Sequence, residues 1–318
     1  MCKANPRNVF ESTLLDIGTI NNQVLAVSCD SAKGAGMASF IKSFPDRYVE
    51  VGISEQNAVG ICAGLAELGF IPVIAVITPF LTMRAYEQVR NDIGYANTNV
   101  KLVGSGGGLA YSTLGSSHEA IEDISVMKTI PNMTILCPGD GYEVEKALRL
   151  AIEHDGPVYI RMPRHALEDI KEPESRNIVI GESETIVNGN EVLIIATGTM
   201  VKEAKDAATK LNDIGISTRV ENFMTVKPID KIKLVELCRQ FKAIFTVEEH
   251  SKVAGLGSSI AELLVSEKDR TPLHILGIEE GSKLVGPYRE VLNEYGLTGD
   301  KIAEMILKTS ANRMNNPS

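Results

Sequence analysis

The amino-acid sequence predicts an α/β fold of two domains, each a mainly parallel sheet covered by helices. Apolar runs of strand length alternate with stretches whose apolar residues recur at helical spacing, which is the pattern of parallel strands buried on both faces. One charged, proline-bearing segment interrupts the alternation near mid-chain, and the alternation then resumes. The length, 318 residues, also exceeds that of a typical single domain.

In the first half the strand-like runs are Val24–Asp30, Pro72–Thr78, Val100–Ser105, Met133–Pro138 and Pro157–Met162. Helical spacing occupies Glu55–Leu68, Ala85–Tyr95, Glu119–Thr129 and Tyr142–Ile152. His165–Asn177 is charged, carries Pro173 and has no clear period, so it reads as a linker. The expected domains are therefore 1–170 and 171–318. In the second, Glu191–Gly198, Ser217–Phe223 and Ala243–Glu249 read as strands, and Val201–Leu211 and Ser258–Val265 as helices.

Composition narrows the function classes. Hydrophobic residues make up 44% and charged residues 23%, the profile of a globular protein. The net charge of −9 argues against a nucleic-acid partner, which calls for clustered Lys and Arg. The five cysteines form no CxxC pair, so metal and disulfide readings are weak. The opening MCKANPRNVF has no apolar run of a signal peptide, and no apolar stretch reaches the length of a membrane span. The expectation is a cytoplasmic protein without a membrane partner.

Three places offer chemistry. Glu55, in VGISEQNAVGICAGLAELG, opens a helix rich in small residues; on spacing alone, its commoner meaning is a favourable acid in a first helical turn. The loop SGGGLAYSTLGSSHEAIED, Ser105–Asp123, leaves a strand end and holds three successive glycines and His118. Such loops are where α/β proteins bind ligands, although a strand-to-helix turn with an exposed histidine reads equally simply. Arg161 and Arg164, in IRMPRH, suit phosphate or carboxylate, or are solvated. Gly139-Asp140-Gly141 spells the opening of a magnesium-diphosphate motif but lacks the Asn pair that completes it, so it reads as a plain turn with no metal ligand.

The segments VGISEQNAVGICAGLA, TPFLTMRAYEQVRNDIGYANTNVKLVGS, HEAIEDISVMKTIPNMTILCPGD, GPVYIRMPR and TVEEHSKVAGLGSSIAE, in this order, resemble the pyrimidine-binding and C-terminal domains of the transketolase family. The resemblance implies the C-terminal subunit of a split, thiamine diphosphate-dependent transferase that moves a two-carbon ketol unit between sugar substrates. The missing domain, on an N-terminal diphosphate-binding partner subunit, would carry the Mg²⁺ ligands, and the pair would self-associate as an α2β2 heterotetramer. Residue by residue, the resemblance makes Glu55 the glutamate that hydrogen-bonds the aminopyrimidine ring nitrogen. Phe80 becomes the ring stacked on the aminopyrimidine, and Asp30 an acid at the cofactor end of the first strand. Arg7, His118 and Arg161 match substrate contacts, His118 also serving catalysis, and Arg164 a further anion contact.

The sequence departs from the family where an early loop histidine, a later loop acid and a phosphate-binding serine are expected: Gly106, Leu114 and Gly34 stand there. These changes predict a substrate other than the ordinary pentose phosphates, with Tyr111, Ser112 and Thr113 as sources of new hydroxyl contacts. Alternative readings are the β subunit of a 2-oxo acid dehydrogenase, a 1-deoxyxylulose-phosphate synthase-like carboligase, and a non-catalytic scaffold subunit.

Overall fold

A computed structural model describes residues 3–267, 271–279 and 284–314; Cys2 lies outside them. The strands are β1 (Lys3–Ala4), β2 (Val24–Ser28), β3 (Tyr48–Glu50), β4 (Ile71–Ile77), β5 (Lys101–Ser105), β6 (Thr134–Leu136), β7 (Val158–Met162), β8 (Leu167–Glu168), β9 (Glu184–Val187), β10 (Val192–Ala196), β11 (Thr218–Asn222), β12 (Thr225–Lys227), β13 (Ala243–Ser251) and β14 (Leu273–Ile278). They form two mainly parallel sheets covered by helices, as the alternation predicts. The first has the order β12-β6-β7-β5-β4-β2-β3 and the second β14-β13-β10-β11-β9.

In the first sheet only β12 runs antiparallel, against β6. The strands β2, β4, β5 and β7 are almost wholly buried because helices cover both faces. One apolar layer joins Phe10, Leu14 and Ile17 to Val24 and Val73, and the other joins Val59 and Cys62 to Ile74 and Leu102. From β2 the chain runs to edge strand β3, then returns across β2 to β4. This reversal opens a crevice at the carboxyl edge of the sheet.

Residues 165–177 are less linker-like than their charge suggests. β8 pairs antiparallel with β1, which draws the chain start against the end of β7. Arg176 is buried and pairs with Asp140, Glu143 and Glu184, so the strap is fastened into the body by a paired and hydrogen-bonded charge. β12, from the second half of the sequence, extends the first sheet. The two halves share structure as well as a seam.

The second sheet packs helix Met200–Asp213 through Val201, Ala204 and Leu211 against Ile194, Val220 and Phe245. All nine residues of β13 are buried, including Glu248, Glu249 and His250. Glu248 accepts from the backbone N–H groups of Leu256 (2.6 Å) and Gly257 (2.9 Å), satisfying the start of helix Leu256–Leu264. Burial pushes its carboxyl up to about 7. Among the described residues, no helix is long and apolar enough to cross a membrane.

Candidate active site

The crevice collects the loops that follow the parallel strands. Asp30 follows β2, Glu55 follows β3, Phe80 follows β4, the glycine loop with His118 follows β5, and Arg164 follows β7. Residues distant in sequence therefore meet at one sheet edge.

Glu55 begins helix Glu55–Glu67 and is buried, only 3% exposed. Ser54 makes no side-chain capping bond, so the helix start leaves its positive end to the carboxylate. Arg84 Nη1 donates to Glu55 Oε2 at 2.9 Å. The same guanidinium lies 4.0 Å from the centroid of the Phe80 ring. Phe80 and Arg84 bound a π-helical turn, Phe80–Arg84, a wide turn of the kind found at functional sites. Arg84 is the residue of this cluster that sequence reasoning did not single out. Its signal was present, because a cation four residues after an aromatic shares its helical face.

Phe80 packs edge-on against His118, with centroids 5.3 Å apart at 70°. His118 Nδ1 is 2.9 Å from Ser117 Oγ, and its ring lies 6.0 Å from that of Tyr111. Arg164 Nη1 donates to the Tyr111 hydroxyl at 2.7 Å. Asp30 sits at the end of β2 with φ +56°. Its N–H donates to Glu50 Oε1 at 2.7 Å, and Gly52 N (2.8 Å), Ser28 Oγ (2.8 Å) and the Tyr48 hydroxyl also donate to Glu50. Partial burial opposes the Glu50 charge, but these donors prevail and hold its carboxyl below the usual range. Glu50 thus fixes the turn that presents Asp30.

Two cavities extend from here. One, about 490 Å³, is lined by Asp30, Lys33, Glu50, Tyr111 and Arg164 among others. The second, about 340 Å³, is lined by Asn5, Arg7, Gly34, Ser105 and Arg164 among others. The β1–β8 pairing draws residues 5–7 toward Arg164. Arg7 and Arg164 thus line one cleft together, and Arg164 also shares the larger cavity with the Asp30 and Glu50 carboxylates.

Arg161 is placed differently from Arg164. It is buried, 7% exposed. Its Nε donates to Asp123 Oδ2 (2.8 Å), and its Nη2 to the carbonyls of Ala120 (3.0 Å) and Glu249 (2.9 Å). Arg161 lies within β7 and Arg164 beyond its end. A side chain inside a strand covered on both faces points into the body, and only one past the end reaches the crevice. Arg161 braces the loop at Ala120–Asp123 against Glu249 of the second sheet. Glu249 completes the brace by accepting from Leu109 N (2.7 Å), Thr199 Oγ1 (2.6 Å) and the Tyr288 hydroxyl (2.9 Å). Burial pushes its carboxyl upward. The loop glycines make this fit possible: a Cβ at Gly107 would stand 2.6 Å from Arg161 Cγ, and one at Gly108 2.6 Å from Glu249 Oε1.

Asp140 is occupied. Its Oδ1 accepts from Glu143 N (2.8 Å) as the N-cap of helix Gly141–Glu153, and its Oδ2 from Ile170 N (3.0 Å) and Arg176 Nη1 (2.6 Å). Among the described residues no group of three His, Cys, Asp or Glu side chains is placed to hold a metal ion.

Two family models account for the two sheets. Residues 3–169 match the transketolase pyrimidine-binding domain, and residues 181–302 match the transketolase C-terminal domain. The chain belongs to the transketolase family. It is 35% identical to one subunit of an apulose-4-phosphate transketolase of Phocaeicola vulgatus, over 95% of this chain and 96% of that one. It is 36% identical to a 1-deoxy-D-xylulose-5-phosphate synthase of Geobacter sulfurreducens over 94% of this chain, which covers 47% of that enzyme. A solved split-gene transketolase, described as an inactive β4 tetramer, superposes with a TM-score of 0.86 at 34% identity, covering 96% of this chain and 98% of the other. This transketolase-family chain thus corresponds along nearly its whole length to one of the two subunits of a split enzyme.

Proposed function

We propose that the chain is the pyrimidine-binding half of a two-subunit thiamine diphosphate transferase that moves a two-carbon ketol unit between sugar phosphates. The observation that carries this reading is the position of Arg84. A planar, cationic, hydrogen-bonding group lies against the Phe80 ring and donates to the buried Glu55 carboxylate. An aminopyrimidine needs those same two contacts, a stacking face and an acid beside a ring nitrogen. The guanidinium is a stand-in that fits the seat, and the cofactor would displace it.

Thiamine diphosphate, when bound, supplies the carbanion-stabilising chemistry that ketol transfer requires. The chain's residues would do the rest. Glu55 holds a proton at the pyrimidine nitrogen, from a helix start that also favours its charge. Phe80 orients the ring and excludes water from one face. Asp30, fixed by Glu50, borders the same crevice. His118 uses one ring nitrogen on Ser117, leaving the other for a substrate hydroxyl. Arg7 and Arg164 face an anion, which agrees with apulose 4-phosphate as a phosphorylated sugar named for a relative.

The diphosphate and its Mg²⁺ are assigned to the partner subunit, because Asp140 of the GDG sequence is consumed by a helix cap and a buried arginine. A cofactor shared between two chains makes the site an interface, and a symmetric α2β2 assembly follows the usual preference for closed symmetry.

Reconstitution with the partner subunit tests the reading. The complex should transfer a ketol unit, and Glu55→Gln should lower kcat by about 10²–10⁴ while sparing assembly. A loss below about tenfold would reduce Glu55 to a helix-terminal acid. A synthase-like carboligase is the second reading, favoured by the synthase relative's 36% identity. Release of CO₂ from pyruvate without ketol transfer would decide for it.

A further inference from the structure

Of the three loop hydroxyls at Tyr111, Ser112 and Thr113, only that of Tyr111 borders the cavities of the crevice. Ser112 Oγ donates to the Gly286 carbonyl at 2.9 Å. Thr113 is exposed, and so is Leu114, at 55%; neither lines the two cavities. Tyr111 lines the larger one with Asp30, Lys33 and Arg164. Its ring packs over residue 106, where a Cβ would stand 2.4 Å from Tyr111 Cε2. Gly106 has φ +79°, a backbone conformation that favours glycine, so the absence of a side chain there is what seats the tyrosine.

The phenol is tied to the cationic cleft. Arg164 donates to its oxygen at 2.7 Å, and the guanidinium carbon lies 4.1 Å from the ring centroid. A phenol oxygen that accepts from Arg164 keeps its own proton to donate. Arg164 borders both cavities and Arg7 borders the smaller. The two linings share Gly34, Ser105 and Arg164, so the phenol O–H borders one cavity, Arg7 its neighbour, and Arg164 both.

We propose that Tyr111 is a specificity-determining residue: its hydroxyl donates to the anionic end of the substrate beside Arg164 and Arg7, and so selects a phosphorylated sugar. The proposal rests on the reading of the Arg7–Arg164 cleft as the anion subsite. A hydrogen bond to a charged phosphate is stronger than one to a neutral hydroxyl. A neutral sugar would leave these donors unpaired, and that is where discrimination arises.

Tyr111→Phe keeps the ring over Gly106 and removes only the hydroxyl. Binding of inorganic phosphate to the assembled complex, measured by calorimetry, reads the subsite without turnover. Tyr111→Phe should weaken phosphate binding about tenfold, the worth of one hydrogen bond to a charged group, and Arg164→Gln should weaken it further. The same Tyr111→Phe change should lower kcat/KM for a phosphorylated ketose about ten times more than for its unphosphorylated counterpart. If Arg164→Gln weakens phosphate binding and Tyr111→Phe does not, the proposal fails while the cleft reading stands. If Tyr111→Phe lowers kcat/KM equally for both sugars, the tyrosine is only a packing residue and the proposal is overturned. If the wild-type complex does not bind phosphate, both fail together.

Discussion

Replacing Arg84 by methionine separates an occupant of the cofactor seat from a contributor to it. In the free chain Arg84 holds two interactions. Its ion pair with Glu55 joins a side chain 43% exposed to one 4% exposed. Breaking a fully buried pair costs about 3–5 kcal/mol, but solvent on the arginine side reduces this toward the exposed-pair value of at most about 1 kcal/mol, so about 1–2 kcal/mol is expected here. The contact with Phe80, 4.0 Å from guanidinium carbon to ring centroid, adds about 0.5–1 kcal/mol at such an exposed site. Arg84→Met should therefore destabilise the free chain by about 2 kcal/mol and lower its Tm by a few degrees, read by differential scanning calorimetry. Thiamine diphosphate no longer has to displace those contacts, so it should bind the assembled complex roughly tenfold to thirtyfold more tightly, at 1.4 kcal/mol per tenfold. A tenfold loss of cofactor affinity would refute the reasoning, because Arg84 would then be a ligand to the cofactor rather than its stand-in.

Phe80→Ala should weaken cofactor retention by the complex, by about 1–3 kcal/mol of lost stacking and burial, seen as faster activity loss on gel filtration without added cofactor. Glu248 gives a pH signature. Its carboxyl lies near 7 in the folded chain, against an ordinary value of 4.5, so the folded form keeps a proton that the unfolded chain releases across that window. The stability contributed by protonated Glu248 is present below about pH 4.5 and is lost as pH rises through about 7; denaturant melts should show Glu248→Gln flattening this decline relative to wild type. Arg161→Met should leave Asp123 buried without its charge partner and cost about 3–5 kcal/mol of stability, a larger loss in the melts than Arg164→Met produces.

The alternation of apolar runs made both sheets legible, because strands buried on two faces must be apolar almost throughout. Glu55, His118 and Arg164, which local pattern singles out, and Phe80 and Arg7, which the family resemblance adds, sit around one sheet edge. Two kinds of feature stayed hidden. The first is long-range pairing: strand Thr225–Lys227 joins the first sheet, and no local pattern names its partner. The second is the direction of a side chain near a strand end. Arg161 and Arg164 look alike in IRMPRH, yet one braces Asp123 and the other faces the cleft, because three residues separate the covered strand from the open edge. The charged strap of residues 165–177 misled for a related reason. Charge usually marks solvent, but Arg176 meets three acids inside the protein.

The central claim is that this chain supplies only the pyrimidine side of a shared cofactor site. Calorimetric titration of thiamine diphosphate with Mg²⁺, into the chain alone and into the chain reconstituted with its diphosphate-binding partner, tests it most directly. The account predicts no tight binding by the chain alone, and saturable binding in the complex at one cofactor per copy of this chain. Tight binding by the isolated chain would contradict it, because residues outside the seat at Glu55, Phe80 and Arg84 would then be holding the diphosphate.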